Sequence, residues 1–246
     1  MLYDYSAFLK NAKMLSGQYR YLDLFPVGES VFEKKIYCLK IGVGRKKLLL
    51  GSALSGLEYN GSKLLMNFLE CFADAFSKNV PFFSKSPVEI FTSLSLYFLP
   101  MINPDGVDIA LHGLDITNPH HLHLISISGI HSFCKVWQAN GNGVDLQGAF
   151  SAERHLPDTY PANEPEISAL LEFINTEGFD SIIHIKNSNP NPYYDFNRSA
   201  YPEFSESNNT KPLPKKSIQV ELEPEVNAIN TDVALSELAT VIFGEM

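Results

Sequence analysis

One carboxylate, Glu58, stands where an α/β protein would do chemistry. It is the only ionisable side chain in the turn Gly51-Ser52-Ala53-Leu54-Ser55-Gly56-Leu57-Glu58, which follows the apolar run Leu48-Leu49-Leu50. Open α/β sheets place their sites at the carboxyl ends of strands, where such a turn lies. His184 and Lys186 sit two positions apart in Ile182-Ile183-His184-Ile185-Lys186, so a strand there puts both on one face. A second acid, Glu221, lies in the run Ser217-Ile218-Gln219-Val220-Glu221-Leu222. The histidines His112, His120, His121, His123 and His131 invite a metal reading. No pair of them falls in a motif with a carboxylate general base, and the segment is rich in Asn, Pro and Ser, so it reads as surface or loop.

The elements that must position these residues follow from periodicity. An amphipathic helix is expected over 3–15, then a turn around Gly28-Glu29-Ser30 and a strand over 35–42. Residues 42–46 turn the chain into the central strand, as in a hairpin or neighbouring-strand connection. A helix over 61–76 carries the apolar spacing Leu64, Leu65, Phe68, Leu69, Phe72, Ala73 and Phe76. Residues 77–87 form a loop and 90–99 a strand that ends at Asn103-Pro104-Asp105-Gly106, a turn by its own chemistry. A helix over 164–175, with Asn163 as cap, precedes a buried strand ending at Lys186. A strand over 217–222 and a helix over 233–243 close the chain. The expected fold is a single α/β domain over 1–246, with a mixed, mostly parallel central sheet and helices on both faces. The strands after Lys46, before Asn103, ending at Lys186 and carrying Glu221 should lie centrally.

Composition narrows the function classes. A chain of 246 residues with 45% hydrophobic content can bury a full core in one domain. The net charge of −9 argues against nucleic acid and against an acidic membrane surface as partners. The three cysteines, Cys38, Cys71 and Cys134, have no metal-like spacing and fit a reducing compartment. With no signal-peptide pattern and no run long enough to span a bilayer, the expected location is cytoplasmic.

Taken together, the motifs resemble those of the zinc metallocarboxypeptidases, and most nearly the bacterial γ-D-glutamyl-L-diamino-acid endopeptidases. The turn after the central strand is similar to the family's Gly-x-x-His-x-x-Glu, with Ser55 at the histidine position and Glu58 at the glutamate. Pro100-Met101-Ile102-Asn103-Pro104-Asp105-Gly106-Val107 resembles a characteristic family run, as does Trp137-Gln138-Ala139-Asn140-Gly141-Asn142-Gly143-Val144-Asp145-Leu146. Phe179-Asp180, followed by the aromatic pair Tyr193-Tyr194, places Lys186 on the family's last zinc histidine, with His184 as a possible substitute ligand. Glu221 falls on the general base. The family's carboxylate-holding Asn-Arg pair becomes Gln147-Gly148, and the substrate-loop region near 195–216 looks shortened. The resemblance implies a zinc-carboxypeptidase-like, phosphorylase/hydrolase-like architecture, with substrate contacts from Asn103, Gln147, Gly148 and Tyr193.

On that mapping the ligand trio His, Glu, His has become Ser55, Glu58, Lys186, so no cofactor is expected. One carboxylate beside an ammonium is a poor zinc site. Lys186 is instead expected within ~4 Å of Glu58 or Glu221, neutralising acids that would otherwise repel. Three readings follow. The first is a pseudo-peptidase that binds peptides or cell-wall stem peptides. The second is a divergent zinc peptidase that recruits His184. The third is a structural or interaction subunit.

Overall fold

The computed structural model describes residues 2–128, 136–147, 163–187, 216–222 and 231–246. Helix α1 (Tyr5–Gln18) starts where the Asp4 carboxylate accepts the Ala7 N–H, and its Phe8, Ala12 and Leu15 face inward at helical spacing. The chain then runs out along β1 (Leu22–Glu29) and back along β2 (Lys35–Ile41). Strand β3 (Lys46–Ser52) leads through the Glu58 turn into α2 (Tyr59–Lys78). After α3 (Pro87–Ser93) come β4 (Leu94–Leu99) and α4 (Pro104–His112). The remaining elements are α5 (His121–Ser128), α6 (Pro165–Glu177), β5 (Ser181–Asn187), β6 (Lys216–Leu222) and α7 (Thr231–Phe243).

Among the described residues the six strands form one mixed sheet in the order β1-β2-β4-β3-β5-β6. Strands β4, β3, β5 and β6 run parallel to one another, while β2 is antiparallel to β4 and β1 antiparallel to β2. Helices α1, α2 and α7 cover one face, packing Phe8, Phe68, Phe72 and Leu238 on Leu48, Leu50, Phe98 and Ile183. Helix α6 covers the other, laying Ile167, Leu170 and Ile174 on Leu49, Tyr97 and Leu99. Each fully buried Phe or Leu in these layers contributes roughly 1.5–3 kcal/mol. No helix among the described residues is long and apolar enough to cross a membrane.

Several local expectations are corrected. Strands β2 and β3 are not neighbours: β4 inserts between them, so residues 42–46 make a crossing and not a hairpin. Residues 22–29, expected to lead into a turn, form β1, whose register shifts between Pro26 and Gly28. The strand expected from Ile90 begins at Leu94, because Ser86 and Pro87 start a short helix first. Asn103-Pro104-Asp105-Gly106 opens α4 and is not a free-standing turn: Asn103 caps it and Pro104 sits in its first turn. The cap of α6 is Glu164, not Asn163. Strand β6, expected centrally, ends the described sheet at one edge.

Candidate functional site

The carboxyl ends of β3, β4 and β5 are joined by two backbone bonds and one serine hydroxyl. Ser52 O accepts the Ile102 N–H at 3.2 Å, Ala53 O accepts the Asn103 N–H at 2.8 Å, and Ser52 Oγ donates to Ile185 O at 3.0 Å. Ala53 ends β3 with φ of 57°, a left-handed conformation that costs an alanine about 1 kcal/mol.

Beneath the turn lies a lattice of close backbone approaches. Gly56 N–H donates to Gln138 O at 3.0 Å, and a Cβ at Gly56 would lie 2.4 Å from Gly106 O and 2.6 Å from Trp137 O. A Cβ at Gly106 would lie 2.4 Å from Ala139 O, so both positions require glycine for contact rather than for φ. Asn103 joins all three segments. Its Nδ2 donates to Leu54 O at 2.9 Å and Ala139 O at 3.2 Å, while its Oδ1 accepts the Gly106 N–H at 2.8 Å. Asn103 is fully buried, with its amide engaged on both sides.

Glu58 sits on this lattice, 3% exposed. Its Oε2 accepts the N–H groups of Leu54 at 3.1 Å and Ser55 at 3.2 Å, and its Oε1 accepts Gln147 Nε2 at 2.8 Å. Burial pushes its carboxyl up to about 7, opposed by the Ser55 N–H, the Lys186 charge and the Leu54 N–H, while Asp145 adds to the push. His184 pairs in register with Gly51 and is 7% exposed. Burial, helped by the Lys186 charge, drives its imidazole down to about 3, so it is neutral at neutral pH. Ser55 is buried, and its Oγ accepts the Leu57 N–H at 3.4 Å. Lys186 is half-buried at the end of β5, and its Cα register partner on β6 is Glu221. Gly148, Tyr193 and most of the 195–216 region lie outside the described residues.

The structure thus brings Ser55, Glu58 and Gln147 into contact and sets His184 and Lys186 in electrostatic reach of one another, with Lys186 also reaching Glu58. The Gln147–Glu58 bond was not legible in the sequence, since 89 positions separate the two. Asp145, whose Oδ1 accepts the Gln147 N–H at 3.0 Å, was missed for the same reason.

A second polar cluster supports the turn lattice from behind. Asn140 Oδ1 accepts the N–H groups of Asn142 and Val144, which fixes its amide orientation. Its Nδ2 then donates to Glu164 Oε2 at 2.6 Å and Glu166 Oε2 at 3.1 Å. Glu166 Oε1 accepts the Val31 N–H, and burial pushes this carboxyl up to about 7. Asp105, fully buried, accepts the Phe32 N–H at 2.8 Å and pairs with Lys34 at 3.3 Å. Lys34 also pairs with Asp108 at 2.7 Å. These acids tie the segments around Val31, Phe32 and Asn140 to helices α4 and α6.

Zinc does not fit the residues present. The carboxylate that would bind it already accepts three protein N–H donors, whose protons point toward any cation that approached. Ser55 offers a hydroxyl, a poor ligand, and Lys186 brings a positive charge. Among the described residues no group of three His, Cys, Asp or Glu side chains is placed to hold a metal ion.

Comparison with known proteins places the chain. The family model described as zinc carboxypeptidase matches residues 10–232. The uncharacterized protein YqgT of Bacillus subtilis (strain 168) is 26% identical over 211 residues, covering 79% of this chain and 56% of that protein. Gamma-D-glutamyl-L-diamino acid endopeptidase 1 of Lysinibacillus sphaericus is 26% identical over 215 residues, covering 82% and 54%. The chain spans about half the length of these curated relatives. Bovine thrombin-activatable fibrinolysis inhibitor, solved with tick carboxypeptidase inhibitor, superposes with a TM-score of 0.57 at 16% identity, covering 82% of this chain and 67% of that one. A metallo-carboxypeptidase from Burkholderia cenocepacia gives a TM-score of 0.55 at 16% identity, covering 78% and 43%. At these identities the structural likenesses speak for the fold.

Proposed function

The chain belongs to the zinc carboxypeptidase family, and from that premise we propose that it is a peptide-binding member that has given up zinc-dependent hydrolysis. The observation that carries this reading is the state of Glu58, whose carboxylate is held by Leu54, Ser55 and Gln147 where the family would bind metal. Glu221, at the general-base position, is then vestigial. The ligand class is a short peptide. Cell-wall stem peptides with a γ-D-glutamyl-diamino-acid linkage come first, because one relative is named for cleaving that bond. Gln147, Gly148 and Tyr193 are the proposed contacts, in one domain shortened near 195–216. The cysteine usage supports a cytoplasmic location.

A second reading, a divergent zinc peptidase, draws on His184, whose buried imidazole is neutral and so in the form a metal would bind. One experiment separates the two. The full chain, purified without chelator or added metal, is analysed for zinc by plasma emission and titrated calorimetrically with a γ-D-glutamyl-diamino-acid peptide. Peptide binding without stoichiometric zinc is the expected result. About one zinc per chain, the occupancy a catalytic site requires, overturns it. So does a peptide that gives no heat and no competition at any concentration tested.

A further inference from the structure

The loss of two histidine ligands is one way to empty a zinc site, but the structure shows a more definite arrangement. A carboxylate offers about four acceptor positions, and three on Glu58 are taken at 2.8–3.2 Å. Two of the donors are backbone N–H groups of the turn itself and come with the fold. The third, Gln147 Nε2, arrives from a distant segment and is held in place at its own base. Its backbone N–H donates to Asp145 Oδ1, and the preceding Leu146 is fully buried against the α6 side of the sheet. The amide therefore meets Glu58 from a pinned position, at the shortest of the three distances.

We infer that Gln147 is a positioning residue that closes the former metal position, its amide taking the metal's place on Glu58 Oε1 and so excluding divalent cations from the site. This deepens the binding-protein reading and rests on it only in placing Glu58 at the family's metal position. A neutral amide donor suits this role. It satisfies a buried carboxylate without adding a second full charge to a pocket that already feels Lys186. A divalent ion would have to displace the amide before reaching Oε1, and the displaced N–H would be left facing a cation.

The consequence is that rebuilding the ligand trio is not sufficient to restore metal binding. The full-chain double variant Ser55→His with Lys186→His carries a His, Glu, His set and still has Glu58 engaged by Gln147. Adding Gln147→Met removes the donor with little change in side-chain length. Zinc affinity is measured for both by competition with a chromogenic chelator. The triple variant is expected to bind at least ~10-fold tighter, equivalent to about 1.4 kcal/mol. Equal affinities, or a weaker triple variant, overturn the inference.

If the histidine variants do not fold, a melting cycle on otherwise native protein decides. Gln147→Met should lower the melting temperature by about 3 °C in the parent background, the shift expected for about 1 kcal/mol in a chain of this size. In a Glu58→Met background the same change should have almost no effect, because the amide has lost its partner. A general packing role for Gln147 predicts the same loss in both backgrounds, and that result refutes the positioning role. Neither measurement involves peptide, so a failed binding assay and a failed latch are separable outcomes.

Discussion

Raising the pH should weaken this fold, and Glu166 is a principal cause. The side chain is fully buried, accepts hydrogen bonds from Val31 and Asn140, and feels the negative charge of Asp105. Burial moves its carboxyl from an ordinary 4.5 up to about 7. Below pH 4.5 the group is neutral whether the chain is folded or not, and its contribution to stability is complete. Between 4.5 and about 7 the unfolded chain releases the proton while the folded protein keeps it, so every rise in pH favours unfolding until both states are ionised. The interval corresponds to roughly 3 kcal/mol. Glu58 is pushed to the same value by its own burial and adds a loss of the same sign over the same window. The assay is urea unfolding at constant ionic strength from about pH 5 to 8, followed by the fluorescence of the single tryptophan, Trp137, which is buried. The midpoint should fall between about pH 5 and 7 and then level off, the fall being shallower below pH 6.5, where His184, held neutral by burial in the folded protein but protonated in the unfolded chain, gains stability as pH rises. Glu166→Gln should remove most of the fall, since Glu58 and His184 then act with opposite sign below pH 6.5, and should start about 1 kcal/mol lower at pH 5 because the amide supplies one acceptor fewer. A midpoint that is level or rises from pH 5 to 8 refutes the reasoning, as does a Glu166→Gln profile parallel to the parent.

Lys34→Met should destabilise the protein by about 2 kcal/mol in chemical denaturation, since Asp105 is left buried without its cation. This is below the figure for a fully enclosed pair, because Lys34 retains some solvent exposure. Gly56→Ala should cost about 3 kcal/mol or prevent folding, because the new methyl meets the carbonyls of Gly106 and Trp137; a melting temperature within a degree of the parent would contradict the close approach. Lys186→Ala should move the Glu58 titration upward, read from its carboxyl carbon resonance, since the ammonium holds that carboxyl down; an unchanged titration would remove Lys186 from the site.

The central strand, its turn and the helix after it were readable because an apolar run and a helical stripe leave few alternatives, and the motifs then fell in order along the chain. Connectivity was less readable. Nothing between Gly42 and Lys46 says that β4, fifty residues on, takes the place beside β2, because sequence adjacency is not spatial adjacency. Strand β1 was hidden by Pro26 and Gly28, which break its alternation where the register shifts. Asn103-Pro104-Asp105-Gly106 misled for a physical reason: the chemistry that makes a tight turn also caps a helix, and only the following Val107, Ile109 and Ala110 in the core decide between them. At the site, the identities of Ser55, Glu58 and Lys186 were visible, whereas the donors that satisfy Glu58 depend on a segment brought in by the tertiary fold.

The lattice formed by Gly56, Gly106, Asn103 and the carbonyls of Trp137 and Ala139 has a bearing on protein engineering. Every bond in it joins backbone to backbone or backbone to one buried amide, and none passes through the side chains at 55, 58 or 186. The platform therefore has bonds of its own, to which Glu58 and Ser55 add theirs on the turn above it. Such a base recommends the scaffold as a chassis for grafted ligand sets, provided the glycines and Asn103 are left untouched and the N–H groups of Leu54 and Ser55 keep an acceptor.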